Sequence, residues 1–347
     1  MSSSPVVRRL TDQAEQCERL GSPLYAEILL RAAADVTAGG PTAALLDGHQ
    51  DDPPGSALPL RLMAALHRQV LTRNAPQLAL HYPSVGGQAG LPGAWAAARL
   101  TLQLRAAQLA EDLNLPCQTN EPGRSAGLLV GLLHAAREHP GRPLRLLEFG
   151  ASAGLNLQVD RFRIGEFGPP DAPVLLAEPW AGPAPELVGY RLADRAGCDL
   201  APIDPAAAGG RLALSASVWA DQVERFARLR TALAIAAAHP VPVARASACA
   251  WLAGHLAHPT AGQATVVWHS VVWQYLEPAE QSAINELMHR AGRRATASAP
   301  LIHLSFEPEL RGRREVVFAL RATSWPGGRR VHLADGQGHG PPVRLRS

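Results

Sequence analysis

Leu144-Arg145-Leu146-Leu147-Glu148-Phe149, then Gly150-Ala151-Ser152-Ala153-Gly154, then Leu155-Asn156-Leu157-Gln158-Val159, is the stretch whose reading decides the fold. The short apolar run reads as a strand. The small residues after it read as a tight turn. The apolar pattern that resumes predicts a helix over Ala153 to Phe162. Small residues at every second position let a nucleotide-like ligand lie against bare backbone at a helix N-terminus, and Glu148 places an acid beside it. The same letters spell Gly-x-Ser-x-Gly, the spacing that presents a serine nucleophile on a strand-to-helix turn. Both readings put the chemistry at the end of this strand.

Upstream, from Thr11 to about Gly141, the pattern is helical. Leu20, Leu24, Ile28, Leu29 and Ala32 recur at helical spacing, and Leu58 to Thr72 and Ala94 to Leu113 read the same way. Downstream, apolar runs alternate with helices, which predicts an α/β fold with a mostly parallel sheet and helices on both faces. After Leu144 to Phe149, a second strand is expected to end at Asp199, a third over Val241 to Arg245 and a fourth over Ala264 to His269. Leu301 to Phe306 and Val316 to Ala322 read as strands that close the sheet, with a last short one around Val331. Trp219 to Ala238 and Pro278 to Ala291 read as helices, and Phe167 to Pro185 as a Pro/Gly-rich insertion. The expected division is an all-helical part, 1–141, and a Rossmann-like sheet part, 142–347.

Composition excludes several chemistries. The chain has 33 basic residues and every one is arginine. Without lysine there is no P-loop lysine, pyridoxal Schiff base, aldolase lysine or Ser-Lys dyad. The net charge of +3 is too small to point to nucleic acid. The tail from Arg290 is locally basic, with the pairs Arg293-Arg294, Arg313-Arg314 and Arg329-Arg330 each after a glycine, as in solvated turns. Cys17, Cys117, Cys198 and Cys249 form no CxxC pair. The N-terminus carries no apolar leader, and no apolar run nears the ~20 residues that cross a bilayer. The expectation is a cytoplasmic protein with reduced thiols and no membrane partner. His49, Asp51 and Asp52 read as a polar turn before Pro53-Pro54, and His255 with His258 lacks a carboxylate at ligand spacing, so no metal is expected.

The order strand, Gly-Ala-Ser-Ala-Gly, then a strand ending in Gly197-Cys198-Asp199 resembles class I S-adenosylmethionine-dependent methyltransferases. Glu148, Gly150 and Gly154 match that family's first motif, with Ser152 in place of the middle glycine. The resemblance implies that Glu148, Gly150, Ser152, Gly154, Asn156 and Asp199 hold S-adenosylmethionine, with Asp199 on the ribose hydroxyls. Ala246-Ser247-Ala248 stands where the family offers an acid to the adenine. Val266-Val267-Trp268-His269-Ser270 and Val271-Val272-Trp273-Gln274-Tyr275 are similar to the fourth-strand exit of small-molecule methyltransferases. That similarity implies His269 as a general base and Tyr275 as a further catalytic candidate, with Trp273 and Gln274 beside a small-molecule acceptor. Asn120, Glu121 and Arg124 precede the helix that covers the cofactor in that family. They are expected to reach the acceptor, Glu121 catalytically; the alternative is a helix N-cap by Asn120 or Ser125, with Glu121 near the positive helix end.

Nearly the whole chain also resembles a bacterial domain-of-unknown-function family with a methyltransferase-like second half. The resemblance rests on Gly21-Ser22-Pro23-Leu24-Tyr25, His81-Tyr82-Pro83-Ser84-Val85-Gly86-Gly87, Gln118-Thr119-Asn120-Glu121-Pro122-Gly123-Arg124-Ser125 and Trp219-Ala220-Asp221-Gln222. Two other readings stay open. One is a serine hydrolase using Ser152, with Asp221 and one of His269, His303 or His339. The other is a binding protein with a degenerate cofactor fold.

Overall fold

A computed structural model describes residues 4–312 and 315–346. Arg313-Arg314 lies outside them. The chain divides into two compact units: residues up to 119 together with 207–230, and residues 120–206 together with 231 onward.

The first unit is helical. Its main helices are α1 (Pro5–Arg19), α2 (Pro23–Thr37), α3 (Leu58–Leu71), α4 (Ala94–Leu104) and α5 (Ala106–Leu113). Proline stands in the first turn of α1, α2 and α3, where its missing N–H has no partner to lose. Leu10, Ala14 and Cys17 of α1 and Leu24, Ile28, Leu29 and Ala32 of α2 form buried stripes at helical spacing. A later segment returns to this unit: α7 (Ala208–Ser217), then the start of α8 (Val223–Ala238). Asp221 tethers it, accepting from Ser22 Oγ at 2.5 Å and from the Leu24 N–H at 3.0 Å. Fully buried His67 adds Nδ1 on the Val218 carbonyl at 3.0 Å and Nε2 on Ser84 Oγ at 2.8 Å. Burial pulls the His67 pKa down to about 4, so this histidine is neutral inside the fold.

The second unit is built on an eight-stranded sheet. Its strands are β1 (Leu144–Phe149), β2 (Leu192–Asp199), β3 (Val243–Arg245), β4 (Ala264–Ser270), β5 (Leu301–Arg311), β6 (Glu315–Trp325), β7 (Arg329–Gln337) and β8 (Gly340–Leu345). Their spatial order is β8-β7-β6-β5-β4-β1-β2-β3. Five strands are parallel, in the order β3-β2-β1-β4-β5. The last three extend them as an antiparallel meander. The sheet is therefore mixed; β6 and β7 run longer than their sequence signals, and β8 has no counterpart in the sequence reading. The α6 helix (Ser125–Glu138) lies on one face; α9 (Ala248–His255) and α10 (Pro278–Arg294) lie on the other, over Leu147, Phe149, Val267 and Leu301.

Two expectations need correcting. The division does not fall at 141/142: α6 belongs with the sheet, and 207–230 belongs with the helical unit. The α6 residues are apolar and buried almost all round, a pattern that shows burial but not the partner. The helix expected over Ala153 to Phe162 is only a 3₁₀ segment, Asn156–Arg161, broken at Gln158. The Leu157 carbonyl accepts from the Arg195 guanidinium at 2.7 Å, and Gln158 Nε2 donates to the His239 carbonyl at 2.6 Å. These tertiary bonds compete with helix continuation. No helix among the described residues is long and apolar enough to cross a membrane.

The close seat of α6 depends on Gly127 and Gly131. A Cβ at Gly131 would collide with the Leu304 side chain, and one at Gly127 would touch the Phe306 ring. Gly131→Ala gains up to ~1 kcal/mol of helix propensity but overpacks a buried contact at ~1–3 kcal/mol. The variant is expected to melt below the parent; an equal or higher melting temperature contradicts this packing.

Candidate functional site

The carboxyl ends of β1, β2 and β4 carry most of the residues singled out in the sequence. Strand pairing puts Glu148 opposite Gly197 of β2 and Trp268 of β4. After Phe149 the chain turns through Gly150 (φ +68°), Ser152 (φ +52°) and Gly154 (φ +70°). The left-handed conformation favours glycine and is uncommon for serine, so the turn is held in place by its surroundings.

Two side chains from elsewhere hold it. Asp199 accepts from the Ser152 N–H at 2.9 Å through one oxygen and from the Ala201 N–H at 2.9 Å through the other. Asn120 Oδ1 accepts from the N–H groups of Ala153 at 3.3 Å and Leu155 at 3.0 Å. The remaining amides bond to protein too, Ala151 to the Cys198 carbonyl and Gly154 to the Ala151 carbonyl. The glycines admit neighbours: a Cβ at Gly150 would lie 2.6 Å from Val272, and one at Gly154 2.9 Å from Val241. The turn is therefore a closed, packed element. Its amides are not an open anion nest, and no α-helix dipole stands behind it.

Beside the turn lies a buried polar network. Ser125 Oγ donates to Asn156 Oδ1 at 2.9 Å. Buried Arg124 reaches the Gly338 carbonyl at 3.0 Å and the Ser270 carbonyl at 3.4 Å. Glu121 accepts from the Gly123 N–H at 2.9 Å, capping the 3₁₀ turn Pro122–Arg124. The expected cap of α6 by Asn120 or Ser125 does not form: α6 starts without a side-chain cap, Asn120 is taken by the turn and Ser125 by Asn156, and Glu121 caps only the preceding 3₁₀ turn. Glu148 is fully buried. Its pKa is pushed up to about 8 by burial, against the opposing pull of Arg124. Glu148 Oε2 and the Trp268 indole N–H are both buried, and neither completes a hydrogen bond.

His269 occupies the opposite face of the sheet. Side chains alternate along β1 and β4, so Glu148 and Trp268 face α6 while Phe149 and His269 face the other way. The His269 ring stacks on Phe149 at 4.5 Å and lies 5.3 Å from Trp273 and 5.1 Å from His303. Its Nδ1 is hydrogen-bonded to Glu307 Oε1 at 2.8 Å. A carboxylate only accepts, so Nδ1 carries a proton toward Glu307; in the neutral ring the lone pair is then on Nε2, the tautomer of a base. Glu307 Oε1 also accepts from the N–H groups of Val272 at 3.1 Å and Trp273 at 3.3 Å. Those bonds hold Val271 at φ +52°, a strained conformation for a β-branched residue.

A model of uncharacterized proteins conserved in bacteria, DUF2332, matches residues 7–344. The chain belongs to this family. No curated protein matches it.

Within this DUF2332 chain, Glu148, Gly150, Ser152, Gly154, Asn156, Asp199, Asn120 and Arg124 come together, and His269 and Trp273 form a second group across the sheet. Gln274 and Tyr275 do not join either; both are exposed on the turn after β4, and Tyr275 is 55 % exposed. Asp221 lies in the helical unit and is engaged by Ser22 and Leu24. Sequence reasoning missed Glu307. Its signal was there: acids inside an apolar strand, Phe306-Glu307-Pro308-Glu309, need partners. Among the described residues no cluster of three or more His, Cys, Asp or Glu is placed to hold a metal.

The Glu148 proton has a consequence for stability. The unfolded chain releases it near the ordinary 4.5, whereas the fold keeps it up to about 8. Between those values the folded state binds the extra proton, so stability falls as pH rises through the window. Glu148→Gln keeps the shape and removes the titration. Its melting temperature relative to the parent should climb by several degrees from about pH 5 to about pH 8.5. A difference independent of pH contradicts a buried, proton-holding Glu148.

Proposed function

We propose that this protein binds S-adenosylmethionine in the crevice outside the carboxyl end of β1 and transfers its methyl group to a small-molecule acceptor. One observation carries the reading. Acids end two adjacent parallel strands, Glu148 on β1 and Asp199 on β2, with a tight small-residue turn between them. This pair sits next to the point, between β1 and β4, where the strand order reverses. Open α/β sheets bind ligands at such switch points.

The residues fit the ligand's chemistry. Asp199 uses one lone pair on each oxygen for the turn and keeps others for a diol. The uncompleted Glu148 Oε2 fits an ammonium group, and taking one would release the Glu148 proton. The turn contributes shape through Gly150 and Gly154. S-adenosylmethionine supplies an electrophilic methyl group when bound. His269, held as a base by Glu307, would take the acceptor's proton, and Trp273 would present an aromatic face to positive charge.

A serine hydrolase is the second reading, favoured by Ser152 at φ +52° in the centre of Gly-x-Ser-x-Gly. Against it, no α-helix follows the turn, and Asp221 is engaged elsewhere.

Calorimetric titration with S-adenosylmethionine and S-adenosylhomocysteine, alongside fluorophosphonate labelling, separates the two. The expected result is micromolar binding without labelling of Ser152, weakened at least about tenfold by Asp199→Asn. Labelling of Ser152 without binding selects the hydrolase. Failure of both leaves a degenerate cofactor fold.

A further inference from the structure

The outer part of the sheet carries a concave site, away from the β1 turn. It lies between α10 and the β5-β6-β7 face and has a volume of about 630 Å³, the size of a small-molecule pocket. Cross-strand pairing lays two rows of polar side chains on its floor. His303 is followed by Thr323 and Arg330, and Ser305 by Arg321 and His332. His289 of α10 stands at the rim against Trp325. Among the described residues that line the groove there is no carboxylate.

A solvated sheet face would explain polar rows but not three further facts. The Arg330 side chain makes no ion pair or hydrogen bond among the described residues. His303 Nε2 is shut off from solvent and has no hydrogen-bond partner, an unfavourable state for a buried polar atom. Burial also pulls the His303 pKa down to about 3. Outside the lining, Glu309 holds Arg321. His332 Nε2 is paired with Asp335, which also holds Arg311 and Arg346. The groove thus gathers donors from three strands around one space with an excess of positive charge.

We propose that this groove binds the phosphate group of a small phosphate monoester. Arg330 and Arg321 supply the charge, and His303 Nε2 supplies a shielded hydrogen bond. A tetrahedral dianion accepts from several directions at once, which suits donors diverging from separate strands; a planar carboxylate offers one fork. The site stands independently of the methyl-transfer reading.

The test is calorimetric titration of the full chain with inorganic phosphate and with glycerol 3-phosphate at constant ionic strength. Saturable one-to-one binding of the ester is expected below about 1 mM. Arg330→Ala and Arg321→Ala should each weaken it about tenfold. Arg290→Ala, an exposed arginine of α10 outside the groove, should leave it unchanged. Both groove arginines are exposed, so their loss spares the fold, which circular dichroism checks. Absence of saturable binding up to about 10 mM overturns the proposal. So does binding that the two groove variants change no more than Arg290→Ala does.

Discussion

Four backbone N–H groups around one turn are held by two side chains, and much of the second unit is arranged about that fact. Asp199 takes the amides of Ser152 and Ala201, and Asn120 takes those of Ala153 and Leu155. Buried amides must be paired, and here no helix pairs them. The pairing ties the end of β2 and the segment before α6 to the end of β1. It also sets the path of the chain on either side: Glu148 leaves the sheet toward α6, and Asn156 arrives beside Ser125.

The period-two geometry of the strands then sorts the chemistry. Residues adjacent in sequence, Glu148 and Phe149 on β1 and Trp268 and His269 on β4, end on opposite faces. One face collects a protonated carboxyl, a buried arginine and an indole N–H. The other collects a histidine whose tautomer Glu307 sets. These two environments impose opposite demands. Glu148 is neutral because burial penalises its charge, whereas His269 is held as a base because a carboxylate accepts its Nδ1 proton.

Much of this was legible in the sequence. Leu144 to Phe149 is a strand because it is a short apolar run ended by glycine. Asp199 ends the next strand where an acid after Gly197-Cys198 suggested it would. The places where the reading failed share a cause: a tertiary partner overrode a local pattern. The helix after Gly154 gives way because Arg195 and His239 claim its groups. The α6 helix reads as part of a helical region because its apolar residues do not show that a sheet lies beneath them. Asn120 and Glu121 have cap-forming side chains, but only the fold decides which one grips the turn. Glu307 is 38 residues from His269, a distance over which no spacing rule operates.

Hydrogen–deuterium exchange of the full chain, with and without S-adenosylhomocysteine, tests the central claim that the crevice at β1 is the ligand site. Slowed exchange confined to residues 120–125, 148–157 and 197–202 is the predicted result, since a ligand there further restrains a turn already held by Asp199 and Asn120. Unchanged exchange in those segments at saturating ligand, or protection elsewhere in the chain, contradicts the account.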